Sequence, residues 1–435
     1  MTSTSGPFSS LSTPAVQARL SFLIQEYEQT HTKSRDASKR AQKVLPAGST
    51  RSVLVSDPFP LVVKSAQAAT FTTVDDVTFE DFVSDYSAGI YGHSHPVIQE
   101  AVQEALSTGF SLGGITGKET ELAEILVNRF PSMDKVRFCN SGTEANMFAI
   151  ATAMASTKRK KILVFENGYH GGTLSFSTRN NPMNLPHEFV VGTYNNIEET
   201  RPLVKDLAAI LVEPLQAAGG MHLATKQFLS FLREAASQTG AVLVFDEVVT
   251  SRLDYHGIQG LWNIIPDMTT VGKYLGGGFP FGAFGGSATI MDRFDSTDES
   301  IALHHSGTFN NNIFTMCAAV AAAKLITPLE LERLNTMGEL FRHGVGMMID
   351  EQKFTQMEVS GYGSAIGIHF KGPGSDVLKD LFYFTLLDQG ISIGRRGFVS
   401  LNLMHSKASV IRLLEAVEIF FGELATIVIQ SRFVN

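Results

Sequence analysis

The stretch VGKYLGGGFPFGAFGG, residues 271–286, sets a single lysine, Lys273, among seven glycines. Glycine-rich loops wrap phosphates, and lysine often accompanies them. A lysine amine also condenses with carbonyl groups. The spacing G-x-x-x-x-G-K-[ST] of the nucleotide-binding loop is absent, so that reading fails. The preceding PDMTTVGK reads as a strand, which puts Lys273 at a strand end. A solvated surface lysine is the bland alternative, and the TTVG before it and GGG after it argue against that.

Three earlier stretches share this design of an apolar strand followed by reactive groups. VFDEV, 244–248, ends a strand on Asp246 and Glu247. Ligands gather at the carboxyl ends of strands in open α/β sheets. Asp is also a common helix N-cap, and spacing alone favours the cap. NSGTEAN, 140–146, follows the strand KVRFC and opens a helix. Its Ser, Gly and Thr offer hydroxyls and N–H groups to a phosphate; an ordinary capping box reads equally well. FENGYHG, 165–171, sets Tyr169 and His170 among glycines, where an aromatic ring can stack on a flat heterocycle; taken alone, a plain surface aromatic is the favoured reading.

Around these motifs, strands are expected at 135–139, 161–165, 207–212 and 241–245. Such continuous apolar runs between helical patterns predict a parallel sheet covered on both faces. Residues 16–30 show helical spacing at Val16, Leu20, Leu23 and Tyr27. Short strands are expected at 61–63 and within 69–83, with a turn at Asp75–Asp76. Past Thr327-Pro328 a helix at 329–352, strands near 356–370 and 391–403 and a helix at 407–425 make a smaller α+β terminal domain. The chain divides into a disordered tail and helix (1–40), an N-terminal part of the small domain (41–85), a large domain (86–327) and the C-terminal small domain (328–435).

A chain of 435 residues usually exceeds one core. Its net charge of -8 gives no ground for nucleic-acid binding. Two cysteines, Cys139 and Cys317, form no disulfide framework and fit a reducing compartment. No apolar run is long enough to span a membrane, and residues 1–15 lack a secretory pattern, so a cytoplasmic location is expected. No metal site is expected.

A phosphate cup, a stacking ring, a carboxylate and a lysine, each after a strand, are together what pyridoxal phosphate needs. The chain resembles the class III aminotransferases of fold type I, in the branch of glutamate-1-semialdehyde aminomutase and the β-phenylalanine aminotransferases. The resemblance runs from about residue 41 to about 420, through LPAGSTRSVLVSDPFPL, AGIYGHSHPVI, NSGTEAN, GYHGG, VEPLQAAGG, FDEVVTSR, TVGKYLGGG and GTFNNN. It implies a large domain with a mainly parallel seven-stranded sheet. It implies Lys273 as the Schiff-base lysine and proton shuttle, with Asp246 on the pyridine nitrogen. Val248 and Tyr169 would lie on the two ring faces, with Ser141, Gly142 and Thr143 on the phosphate. Glu213 and Gln216 would lie near the ring substituents. Thr308 would reach the neighbouring subunit's cofactor, which implies a homodimer with sites at the interface. No proton-transfer role falls to His170.

The resemblance also implies a substrate. Arg51, in GSTRSVLVSDPFP, matches an arginine that grips the substrate carboxylate, and the planar guanidinium suits that task. A surface salt bridge is the plain alternative. GRRGF, 394–398, supplies Arg396, with Arg395 close behind, for a 2-oxo acid acceptor such as 2-oxoglutarate or pyruvate. The donor expected is a β-amino acid, and the kinetics ping-pong. An aminomutase is the weaker expectation, because SGNP usually follows the threonine in that enzyme and NNNIF stands here. A transaminase of simple amines or aminoketones is a third reading. A cofactor-free scaffold on the same fold is the remote one.

Overall fold

The computed structural model describes residue 8 and residues 13–177, 181–295, 297 and 302–434. The chain forms two units. One holds residues 1–86, 92–95 and 336–435, and the other holds 87–91 and 96–335. The boundaries expected at 85/86 and 327/328 thus move by a few residues. The segment 92–95 returns to the first unit because Ala68 and His93 bond backbone to backbone in both directions (3.0 and 2.7 Å).

The larger unit is built on seven strands: β1 (Lys135–Cys139), β2 (Lys161–Phe165), β3 (Glu188–Gly192), β4 (Leu207–Val212), β5 (Val242–Asp246), β6 (Met268–Gly272) and β7 (Gly282–Gly286). Their order across the sheet is β1-β7-β6-β5-β4-β2-β3. Only β7 runs antiparallel to its neighbours. The four expected strands are present, as is β6, the strand read before Lys273, and β3 and β7 complete the sheet.

The sheet is apolar on both faces, as buried parallel strands require. Ile162, Val164, Ala209, Leu211, Val242, Val244 and Met268 face helix α1 (Gly142–Thr157), which answers with Ala145, Ala149, Ile150 and Ala153. This helix-period row of small residues lets the helix sit close to the sheet. On the other face Phe165 meets Phe228 of helix α2 (Lys226–Thr239) edge-on, with ring centroids 5.3 Å apart. Thr225 caps α2 by accepting the Phe228 N–H (3.1 Å), and Gly240, at φ 71°, ends it. Each such buried Phe or Leu contributes about 1.5–3 kcal/mol.

Period two decides which residues reach the site. Val242, Val244 and Asp246 share the α1 face, as do Met268 and Thr270. Asn146 lies one turn after Gly142 on the same stripe of α1.

The smaller unit has a four-stranded sheet of Val63–Gln67, Thr70–Thr73, Thr78–Asp81 and Ile391–Ser392, and a three-stranded sheet of Met357–Tyr362, Ala365–Phe370 and Phe398–Ser400. The strand expected at 61–63 falls instead at 63–67, and Asp76, at φ 65°, makes the expected turn. Val16, Leu20, Leu23 and Tyr27 are all buried along helix Thr13–Thr30. Most of the expected disordered tail, residues 1–15, lies outside the described residues. Within it, Phe8 is buried against Phe354 (5.2 Å between centroids) and Phe421, and Thr13 already opens the helix. An aromatic ring that finds an apolar pocket overrides the polar character of its neighbours.

Candidate active site

Strands β1, β2, β4, β5 and β6 point the same way, so the residues after them gather at one edge of the sheet. That edge receives Ser141–Gly142–Thr143 after β1, Tyr169 and His170 after β2, Glu213 after β4, Asp246 and Val248 at the end of β5, and Lys273 after β6.

Close approaches tie these turns together. A Cβ on Gly142 would come within 2.9 Å of Val248 Cγ2, and one on Gly272 within 3.3 Å of the Gly142 nitrogen. A Cβ on Gly171, at φ 126°, would overlap the Thr143 hydroxyl. Tyr169 N–H donates to Glu213 Oε2 (2.8 Å), and Ala217 N–H donates to Oε1 (3.3 Å). The structure thus brings together Ser141, Gly142, Thr143, Tyr169, Glu213, Asp246, Val248 and Lys273.

The capping-box reading of NSGTEAN holds. Ser141 caps α1 by accepting the Glu144 N–H (3.1 Å), and Glu144 reaches back to the Asn140 N–H (2.9 Å). Capping leaves the Ser141 hydroxyl proton to give. The N–H groups of Gly142 and Thr143, first in the helix, have no carbonyl of their own helix to meet.

Asp246 is not a helix cap. It is buried at the end of β5, where Oδ2 accepts from Asn146 Nδ2 and His170 Nδ1 (2.8 Å each) and Oδ1 accepts from Val248 N–H (3.1 Å). Its neighbour Glu247 is structural. It accepts from the Thr250 hydroxyl (2.5 Å) and from the N–H groups of Ile258 and Gln259 (3.0 Å each), which fixes the start of the short helix Gly257–Trp262.

Burial pushes the Glu213 carboxyl up to about 7; the Asp246 charge adds to this, and His170 and the two N–H donors oppose it. Burial would lower His170, but the bond to Asp246 and the charges of Asp246 and Glu213 outweigh it and raise the imidazole.

Lys273 is half-buried and holds φ 54°, a left-handed conformation that costs a non-glycine residue about 1–2 kcal/mol. Tyr169 is 47% exposed at the rim. Gln216 is buried, and its amide donates to the Glu166 carbonyl (2.7 Å). Thr308 is exposed, and its segment is joined to the first turn by Asn140 Nδ2 donating to Asn310 Oδ1 (2.9 Å). Asn146, His170 and Thr270 escaped the functional reading of the sequence. The available signal was Asn146, a buried-stripe polar residue in an alanine-rich helix.

Arg51 and Arg396 belong to the smaller unit. Arg51 pairs with Asp85 (2.6 Å) and lies over the Tyr86 ring (5.8 Å), so the plain salt bridge is present. Ser84, Asp85 and Tyr86 all take left-handed φ (47°, 46° and 53°). Arg396 is exposed. Burial raises the Tyr86 phenol, while Arg396 and Arg51 pull it back, which sets both cations near one ring. Arg395 is committed elsewhere, held by both oxygens of Asp380 (3.0 and 2.9 Å), by Ser56 Oγ (2.9 Å) and by the Asp57 carbonyl.

The residues present fit pyridoxal phosphate. Glycines hold the first turn so close to Val248 and β6 that backbone N–H groups are presented in place of side chains. Anion donors, an amine and a buried carboxylate then meet at one edge.

Comparison with known proteins agrees. The family model of the class-III aminotransferases matches residues 53–417. The chain is 39% identical to the beta-phenylalanine transaminase of Variovorax paradoxus, over 94% of this chain and 97% of that protein. It is 37% identical to glutamate-1-semialdehyde 2,1-aminomutase 2 of Lachnoclostridium phytofermentans, over 78% and 84%. The crystal structure of a beta-phenylalanine aminotransferase from Variovorax paradoxus superposes with TM-score 0.90 at 38% identity, covering 94% and 98%. A transaminase with PLP bound superposes with TM-score 0.85 at 32% identity, covering 92% and 99%.

Proposed function

The chain belongs to the class-III aminotransferases, and on that premise we propose that it takes the amino group of a β-amino acid resembling β-phenylalanine and passes it to a 2-oxo acid such as 2-oxoglutarate or pyruvate. Its cofactor is pyridoxal phosphate. When bound, this group supplies an electron sink for the carbon that carries the amine.

In this reading Ser141, Gly142 and Thr143 hold the phosphate, Tyr169 and Val248 face the ring, and Asp246 holds the protonated ring nitrogen. Glu213 and Gln216 flank the ring substituents. Lys273 would hold the cofactor's aldehyde through Nζ, and the same Nζ would move the proton at the amine-bearing carbon. Two half-reactions at one site give ping-pong kinetics. Thr308 serves the site of a second copy, so the working form is a homodimer. Among the described residues no single helix is long and apolar enough to cross a membrane. With two unpaired cysteines, this supports a cytoplasmic location.

One observation carries the substrate: Arg51, 5.8 Å over the Tyr86 ring, and Arg396 in the same unit both have exposed side chains. An exposed ion pair such as Arg51–Asp85 is worth about 0–1 kcal/mol, so a substrate carboxylate can replace Asp85 at little cost. The alternative is a 2,1-aminomutase, favoured by the likeness to the Lachnoclostridium protein.

Removing Arg51 tests the donor. In R51A, KM for 3-amino-3-phenylpropanoate should rise about 10- to 100-fold, the worth of a hydrogen bond to a charged group. KM for 1-phenylethylamine, which lacks the carboxylate, should stay put. Equal changes for both donors would contradict the assignment.

A further inference from the structure

Asp246 is gripped from three elements, and the grip distinguishes its two oxygens. Oδ2 accepts two side-chain donors, Asn146 Nδ2 from α1 and His170 Nδ1 from the turn after β2 (2.8 Å each). Oδ1 accepts one backbone donor, Val248 N–H, at 3.1 Å. Two strong donors fill the in-plane lone pairs of Oδ2, whereas one pair on Oδ1 remains for a ligand.

The donors are themselves fixed. The second N–H of the Asn146 amide goes to the His170 carbonyl (3.1 Å), and its Oδ1 accepts the Thr270 hydroxyl (2.7 Å). Two acceptors on one side and a hydroxyl on the other allow one orientation of that amide. A carboxylate only accepts, so Nδ1 of His170 carries the proton. Asn146, His170, Asp246 and Thr270 are all buried, at 4% exposure or less.

We propose that Asn146, Thr270 and His170 are positioning residues that occupy Oδ2 of Asp246 inside the protein and present Oδ1 to the cofactor's ring nitrogen. The inference rests on the cofactor and not on the identity of the amino donor.

The charges around His170 support this. Two carboxylates face it, Asp246 at the end of β5 and Glu213 after β4. Burial alone would strip the imidazole of its second proton, and these carboxylates oppose that and raise its pKa. Thr270 gains nothing from the ligand directly, yet without its hydroxyl the Asn146 amide loses the partner that orients it.

The test measures the dissociation constant of pyridoxal phosphate from the apoprotein, and the pH dependence of the visible band of the loaded enzyme. His170→Asn places an amide nitrogen about where Nδ1 lies, whereas His170→Leu offers no donor. H170N should keep the wild-type affinity within about threefold. H170L should weaken it about tenfold or more, the loss of one charge-assisted hydrogen bond, and shift the pH dependence of the band. Thr270→Val, close to isosteric, should weaken binding about threefold with an unchanged thermal midpoint. The proposal is overturned if H170L, or T270V where H170L does not fold, binds the cofactor with wild-type affinity and an unmoved pH dependence. It is equally overturned if H170N is no better than H170L.

Discussion

The carboxyl edge of the seven-stranded sheet and the arginine loops of the smaller unit hold charge in opposite ways. At the edge, Asp246 and Glu247 are buried and each accepts at least three hydrogen bonds. On the other unit Arg51 keeps 47% of its side chain exposed on a single ion pair. A buried carboxylate cannot change partners without leaving a charge uncompensated, at a cost of about 3–5 kcal/mol. An exposed guanidinium can. The first arrangement suits a resident cofactor, and the second a substrate that comes and goes. The dipeptide Arg395–Arg396 repeats the contrast within two residues: Arg395 is clamped to Asp380 and lies over Tyr383 and Phe384 (5.8 and 5.5 Å), while Arg396 is exposed.

The largest break in this comparison comes at the edge. Lys273→Ala should lower turnover by at least about 10³-fold in steady-state assays, since it removes both nucleophile and base. Cofactor retained after gel filtration would confirm that the other contacts persist. Turnover near wild type would remove Lys273 from the chemistry.

Next comes the arginine contrast. Arg395→Ala should lower unfolding free energy by about 1–3 kcal/mol, since it strands Asp380. Arg51→Ala should move it by about 1 kcal/mol or less, because its ion pair is exposed. Denaturant melts of the two variants check this; equal losses would erase the distinction between clamped and switchable cations.

The smallest effect is one of pH. Glu213 and His170 both bind protons more tightly in the folded chain than in the unfolded one. The folded state therefore holds more protons, and stability falls as pH rises. For Glu213 the contribution is full below its ordinary range near 4.5 and is lost as pH passes about 7. For His170 it is full below 6.5 and is lost above that, through its raised value. The melting temperature of the apoprotein should decline from pH 6 to pH 8, and Glu213→Gln should flatten the decline. A rise over that window would reverse the sign assigned to both groups.

The cofactor edge was legible in sequence because each reactive group directly follows an apolar strand, and parallel strands end at one edge. β7 was not. GAFGG reads as a loop, yet a Cβ at Gly285 or Gly286 would lie 2.7 or 2.6 Å from the Lys135 or Asp267 carbonyl, so close strand packing demands glycine there. The Asn146–Asp246 and Thr270–Asn146 bonds span 100 and 124 residues, and no local pattern announces them. Sequence spacing favoured Asp246 as a helix cap because a strand's last residue and a helix's cap share the same local chemistry. The left-handed run at Ser84–Tyr86 contains no glycine or asparagine to flag it. Arg51 and Arg396 were singled out through the resemblance alone, since an exposed arginine carries no periodic signal of its own.

The measurement that bears most directly on the account is the absorbance spectrum of the cofactor-loaded enzyme mixed with 3-amino-3-phenylpropanoate in the absence of an acceptor. The account predicts that the visible band falls, a near-ultraviolet band rises, and added 2-oxoglutarate or pyruvate restores the first. A visible band that stays unmoved by this donor, but falls with glutamate semialdehyde or a simple amine, would contradict the β-amino acid assignment.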